Sequence, residues 1–450
     1  MDLFDDFKYR AKQYLADNNK ARVYPSRSSI DALEQCNTPL QEESLEPGKV
    51  LSILDEIGSP ATVRSSGGRY FGFVTGGSLP AALFAKLLAT VWDQNSALAI
   101  QSPVAAKLEE IAAKWLISIL RLPETAGAGF VTGATMANFS ALIAARHVVL
   151  KNEGWDAEAK GLFHAPDITV ITGDEVHVSL LKALNLAGFG RERIVRVPAD
   201  RQGRMIVDKI PLAHGPMVIC TQAGNVNTGA FDDVSGVCDR FHNKNVWVHV
   251  DAAFGMWAAA SDKLNHLVKG IEKADSWATD AHKWLNVPYD CGLVFVKDQQ
   301  ALIEAMSASA AYLPTTNMRE SFQYVPEMSR EARGIPVWAA LKCLGKKGLA
   351  ELVERNCLYA KQFADRLSEA GYLVLNEVVL NQVLVSFGDA ATTLKVIQAV
   401  QDDGTCWCGG TVWQGKTAMR ISVSSWLTSD ADIQISIEAI ISAARKIAGR

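Results

Sequence analysis

The chain has 450 residues, of which 48% are hydrophobic and 21% charged, with a formal net charge of −4 and eight cysteines. That balance suits a large folded core and gives no basis for nucleic-acid binding. The acidic, amphipathic start (Met1-Asp-Leu-Phe-Asp-Asp-Phe7) is not a secretory leader, and no apolar run approaches the ~20 residues of a membrane span.

Residues 2 to 17 put Leu3, Phe4, Phe7, Ala11, Tyr14 and Leu15 on one helical face, and 50–57 repeats the pattern with Leu51, Ile53 and Leu54. The segment 1–61 is too short for a core of its own, so it is expected to dock on its own body or on a partner subunit. From Thr62 glycines crowd around Arg69-Tyr70-Phe71-Gly72-Phe73, which reads as a site or interface loop, or as an ordinary surface turn. Helical patterns follow at 80–92 and 103–120.

Strand and helix signals then alternate. Short apolar runs at 129–131, 168–171, 194–197, 217–220, 246–250, 276–279 and 293–296 are separated by helical stretches at 135–150, 178–187 and 234–242. This predicts an α/β domain over 62–307 whose mostly parallel sheet is covered on both faces. The polar stretch 308–333, with Pro314 and Pro326, is expected to be a mobile lid. A smaller α/β C-terminal domain, 334–450, is predicted from helices at 335–345, 348–370, 391–402 and 429–448 and strands at 373–375, 383–387 and 419–423. The cysteines are scattered, and Cys406-Trp-Cys408 is too tightly spaced for the usual zinc arrangements. No metal site is expected, and the thiols read as reduced in a cytoplasmic protein.

The chemistry gathers at strand ends. Lys283 sits between an imidazole and an indole in Asp280-Ala-His282-Lys283-Trp284, just past a strand. Asp251 ends the preceding apolar run, Val246-Trp-Val-His-Val-Asp251, and is followed by the small Ala252 and Ala253, which leave room for a flat ring. Parallel strands joined by crossover helices bring such residues to one carboxyl edge of the sheet. An amine and a carboxylate converging there suit pyridoxal phosphate: the lysine forms a Schiff base, and the carboxylate keeps the pyridine nitrogen protonated. Ala134 and Thr135 open a helix whose N-terminus could hold a phosphate, although Thr135 could equally be a helix cap. His177, beyond another strand, could stack on the cofactor or be structural, and Thr221 offers a hydroxyl at the same edge.

Over nearly its whole length the sequence resembles the group II pyridoxal-phosphate-dependent decarboxylases, the family of the aromatic-amino-acid, tyrosine and glutamate enzymes. The motifs that carry the likeness are Arg69-Tyr-Phe-Gly-Phe73, Ser102-Pro103, His177, Asp251-Ala-Ala253, Asp280-Ala-His-Lys-Trp284, and the stretch from Arg330 to Trp338. The resemblance implies the fold-type-I architecture and a homodimer with shared active sites and a swapped N-terminal segment. It also implies α-decarboxylation of an amino acid, with transamination, oxidative deamination or aldehyde-forming carbon–carbon cleavage as alternatives. By the same likeness Lys283 carries the cofactor, Asp251 pairs with the pyridinium, and His177 stacks on the ring. Ala134 and Thr135 hold the phosphate, Thr221 and Ala253 lie near the ring, and His282 contacts phosphate or substrate.

Tyr70 and Phe71 are expected to line the substrate pocket. Gly68-Arg69 stands where the family has His-Pro, and the Arg69 guanidinium fork keeps an acidic substrate open beside aromatic ones. Asp280 replaces an asparagine near the phosphate in the aromatic enzymes and is expected to point away from it. In the lid, Tyr324 is the chosen proton donor, with Tyr312 as the other candidate.

Overall fold

The computed structural model describes residues 2–212, 215–241, 244–308 and 318–449. The chain divides into two compact units: one of 1–77, 359–375 and 383–450, the other of 78–358 and 376–382.

The second unit holds seven strands: β1 (Gly127–Val131), β2 (Thr169–Gly173), β3 (Ile194–Val197), β4 (Met217–Gln222), β5 (Val246–Asp251), β6 (Ser276–Asp280) and β7 (Gly292–Val296). Their spatial order is β1-β7-β6-β5-β4-β2-β3. β3, β2, β4, β5 and β6 pair in parallel, while β7 runs antiparallel to both β1 and β6. Six strands therefore share one direction, and their carboxyl ends share one edge. Four of the seven are buried at every residue, which is why they read as continuous apolar runs. The exceptions to full burial are β2 and β5, each with a half-buried first residue, and the edge strand β3.

The helix Ala134–Lys151 crosses the sheet against β5, β6 and β7, and its core side chains include Ala137, Ala141, Leu142 and Ala145. These join Val131, Val170, Leu180, Val218, Trp247 and Val294 in one apolar cluster. Small residues on the helix let its axis lie close to the sheet, and that fixes its N-terminus at the carboxyl edge.

The lid expected over 308–333 takes a different form where it is described. Residues 318–333 include a short 3-10 turn, Ser321–Tyr324, and bury Glu320, Ser321, Phe322, Tyr324, Val325, Arg330 and Ala332. Tyr324 packs in the sheet's apolar cluster, near Val131, Val294 and Leu302, with the Arg319 guanidinium 3.6 Å from its ring centre. Tyr312 lies outside the described residues.

The other unit carries β8 (Leu373–Val374), β9 (Gln382–Ser386), β10 (Gly409–Trp413) and β11 (Lys416–Ser422) in the order β10-β11-β9-β8. Helix Asp430–Ile447 begins with a full capping box: Ser429 and Asp432 each bond the other's backbone N–H. The expected boundary at 61/62 falls inside this unit, which runs on to Gly77. The Arg69 turn explains the difference, because it is woven into the C-terminal strands: Phe71 N–H donates to Trp407 O at 2.9 Å and Ser422 N–H to Phe71 O at 2.9 Å.

Candidate active site

Strand ends β1, β2, β4, β5 and β6 deliver their following residues to the shared edge. Lys283 follows β6, and its Nζ is 5.9 Å from the centre of the Phe254 ring, which follows β5. Asp251, the last residue of β5, is buried, and its Oδ1 accepts no hydrogen bond among the described residues. Burial pushes its carboxyl above the ordinary range, and the neighbouring His177, Lys283 and Asn138 side chains pull it partly back. A buried carboxylate oxygen without a donor awaits a proton-bearing partner, and the pyridinium N–H is one.

His177 caps the helix Val178–Leu186: the Ser179 N–H donates to its Nδ1 at 3.2 Å, and the Ser179 hydroxyl lies 2.7 Å from the same nitrogen. A ring nitrogen that accepts a backbone N–H carries no proton, so the proton sits on Nε2. His177, Asp251, Ala253, Phe254 and Lys283 line one cavity together with Gln222, Gly224 and Val226. An imidazole, a carboxylate and an amine thus share one cavity, a set of groups whose chemistry suits pyridoxal phosphate.

The phosphate end is more crowded. Asp280 does not point away: its Oδ1 accepts the Ala134 N–H at 2.6 Å, and its Oδ2 is 3.2 Å from Lys283 Nζ. The reason is local, since the helix N-terminus and the lysine are the two nearest positive partners for a carboxylate that is itself buried. His282 accepts the Cys291 N–H on Nδ1 at 3.1 Å, which puts its proton on Nε2, 3.6 Å from Asp280 Oδ1. Burial lowers its pKa, keeping the imidazole neutral. Thr135 follows Ala134, half-buried, in the first helical turn. Gly292 opens β7 against this turn, where a Cβ would come within 2.4 Å of the Gly133 backbone.

Five expected site residues are placed elsewhere. Thr221 Oγ1 donates to His249 O at 3.2 Å inside the sheet, and the next residue, Gln222, lines the cavity instead. Arg69 spends its guanidinium on backbone carbonyls, Thr405 O and Asn19 O at 2.7 Å and Ala21 O at 3.1 Å, so it is a structural clasp rather than a substrate fork. Tyr70 stacks on Trp407 at 5.0 Å, and Phe71 packs edge-on against Phe363 at 5.0 Å, both buried within their own unit. Tyr324, in the core, is not among the residues lining the Lys283 cavity.

Residues 37–388 match the pyridoxal-dependent decarboxylase conserved domain. The chain belongs to the pyridoxal-dependent decarboxylase family. Its cofactor is pyridoxal phosphate, and its reaction class is that of a carboxy-lyase acting on an amino acid. Among curated proteins it is similar to tryptophan decarboxylase 2 of Oryza sativa subsp. japonica, at 26% identity covering 96% of this chain and 93% of the relative. It is also similar to phenylacetaldehyde synthase of Petunia hybrida, at 25% identity over 92% and 89%. The crystal structure of Oryza sativa TDC with PLP and tryptamine shares the fold, with a TM-score of 0.91 at 21% identity over 99% of this chain and 97% of that one.

For a decarboxylase of this family the sequence pattern identifies the amine and its carboxylate. It does not reveal Asn138, whose Oδ1 lies 2.8 Å from His249 Nε2 and whose side-chain amide helps to pull the Asp251 pKa down. Its position one turn into the Ala134 helix, facing the sheet, is the only signal the sequence carries for it.

Proposed function

We propose that this decarboxylase removes the α-carboxylate of an L-amino acid with an uncharged, aromatic side chain, releasing CO2 and the amine. The observation that carries the reading is the buried Asp251 carboxylate, whose Oδ1 accepts no hydrogen bond among the described residues, in the same cavity as Lys283 and His177. When bound, pyridoxal phosphate supplies an electron sink for the electrons of the broken bond. Lys283 would hold the cofactor through its side-chain amine. Asp251 would keep the pyridine nitrogen protonated. His177 lies in the cavity with a proton on Nε2, and Ala253 leaves the ring room against the backbone.

The side-chain preference has two supports. The Arg69 donors, the basis for an acidic substrate, are used by backbone carbonyls. Among the described residues Lys283 is the one lysine or arginine that lines the cavity. The similarity to phenylacetaldehyde synthase favours a second outcome, in which the aldehyde replaces the amine. The protein is further proposed to act as a homodimer, and its cysteines, all free thiols, suit the cytoplasm.

One experiment tests the reading. The purified protein is incubated with a panel of L-amino acids, and CO2, amine, aldehyde and keto acid are measured for each. Aromatic substrates should give CO2 and amine in equal amounts, and Arg69→Ala should leave the ranking unchanged. Keto acid without CO2 would make the protein an aminotransferase, and turnover confined to glutamate or aspartate would overturn the side-chain assignment.

A further inference from the structure

Asp280 stands in a place that two other groups need. Its Oδ1 takes the first amide of the Ala134–Lys151 helix at 2.6 Å, and its Oδ2 holds Lys283 Nζ at 3.2 Å. The helix N-terminus is the natural seat for a phosphate, because free N–H groups and the helix dipole both favour an anion there. A carboxylate already in that seat meets the same donors. The side chain is 4% exposed, so water does little to screen it from a second anion.

The backbone of Asp280 is fixed independently of its side chain. Its N–H donates to Ala253 O at 2.9 Å, and its carbonyl accepts the Trp257 indole N–H at 3.2 Å. Making room for a phosphate is thus a matter of turning one carboxylate about its side-chain bonds, with the strand left in place. Releasing the carboxylate also releases the lysine, which must lose its proton to bind an aldehyde.

We propose that Asp280 is a built-in counter-ion that competes with the cofactor phosphate for the N-terminus of the Ala134 helix, and that it pairs with Lys283 until the cofactor displaces it. The inference rests on the cofactor assignment but not on the substrate or product of the reaction. Its consequence is a cofactor held more loosely than the site would allow with a neutral residue at this position.

The test is a set of binding titrations on cofactor-stripped protein, comparing the parent with Asp280→Asn and Asp280→Ala. The ligands are pyridoxal phosphate, inorganic phosphate, and pyridoxal, which lacks the phosphate. Circular dichroism checks that each variant is folded, and the alanine variant stands in should the asparagine one fail. The expected result is that pyridoxal phosphate and inorganic phosphate bind the variants at least tenfold more tightly, while pyridoxal changes by less than threefold. Unchanged or weaker phosphate binding in the folded variants would overturn the proposal. An equal gain for pyridoxal would overturn it too, because the effect would then run through Lys283 alone. A protein that binds the cofactor in this pattern yet decarboxylates nothing would defeat the functional reading and leave this one standing.

Discussion

His249 stands two positions before Asp251 in β5, wholly buried, with Nδ1 2.9 Å from Ser276 Oγ and Nε2 2.8 Å from Asn138 Oδ1. An amide oxygen only accepts, so Nε2 bears the proton, and Nδ1 accepts from the Ser276 hydroxyl. That hydroxyl in turn accepts the Trp247 indole N–H at 2.7 Å. The chain of bonds is neutral throughout, and burial drives the His249 pKa from its ordinary 6.5 down to about 3. Between those values the unfolded chain binds a proton that the folded protein refuses. Stability is therefore lost as the pH falls from 6.5 towards 3, by about 1.4 kcal/mol per unit. Asp232 works the other way: burial raises its pKa from 3.8 to about 6, so the folded state holds the extra proton and stability falls as the pH rises through that window. Replacing His249 by Gln should remove one slope and leave the other. The parent's lead in thermal stability over His249→Gln should then shrink on going from about pH 6.5 to 4.5, by about 2.7 kcal/mol. Thermal unfolding at the two pH values measures it, and a lead that does not change would mean that His249 accepts a proton in the fold. Single residues also mark the limit of what the sequence shows. Lys283 and Asp251 are legible because each closes or follows an apolar strand, whereas the orientation of Asp280 depends on a donor 146 positions away.

At the level of elements, the segment 318–333 is held to β1 by a buried ion cluster. Glu109 lies 3.3 Å from Arg319 and 3.0 Å from Arg330, and the two arginines also donate to the β1 carbonyls of Ala128 and Phe130. Burial alone would raise the Glu109 pKa, but the Arg330 and Arg319 charges, with the Arg330 hydrogen bond, outweigh it and hold the carboxyl below its ordinary range. Removing one partner of a buried pair leaves the other charge stranded, which costs about 3–5 kcal/mol. Glu109→Gln should therefore lower the melting temperature sharply, and Glu109→Gln with Arg330→Met should cost clearly less than the two single losses added together. Additive losses would mean that the two side chains do not act as a pair. The same cluster explains why this segment reads as a polar lid: charged residues look solvated in sequence when their partners sit some 200 positions away. Apolar strands are legible because burial on both faces leaves a continuous run, as in β4 and β5. Strand β10 alternates between half-buried and exposed residues up to the buried Trp413 and begins with two glycines, so it gives no such run. The reversed direction of β7 does have a signal, since only residues 281–291 separate it from β6, too few for a crossover helix.

For the whole molecule, the helix Leu3–Asp17 poses a problem of exposed surface. It buries none of its residues, and its ties to its own unit are polar: Arg10 to Asp55 and Ser52 at 2.9 Å each, and Tyr14 to Thr62 at 2.8 Å. The opposite face shows Leu3, Phe4 and Phe7 beside Val50 and Leu54, with Phe4 65% and Leu54 63% exposed. A 15-residue helix is marginal in water without an apolar surface to pack on. A contiguous apolar patch of this kind marks an interface, and a second copy of the chain offers a self-complementary one, as in two-fold dimers. The parent is therefore expected to sediment near 98 kDa, twice the 48.8 kDa of one chain. Phe4→Asp combined with Leu54→Asp places charges in the middle of the patch, where burial would leave them unpaired. That variant should shift to the mass of a single chain at micromolar concentration while keeping the circular dichroism of the parent. A parent already monomeric at that concentration, or a double variant that stays at twice the chain mass, would show that the N-terminal helices do not join two copies.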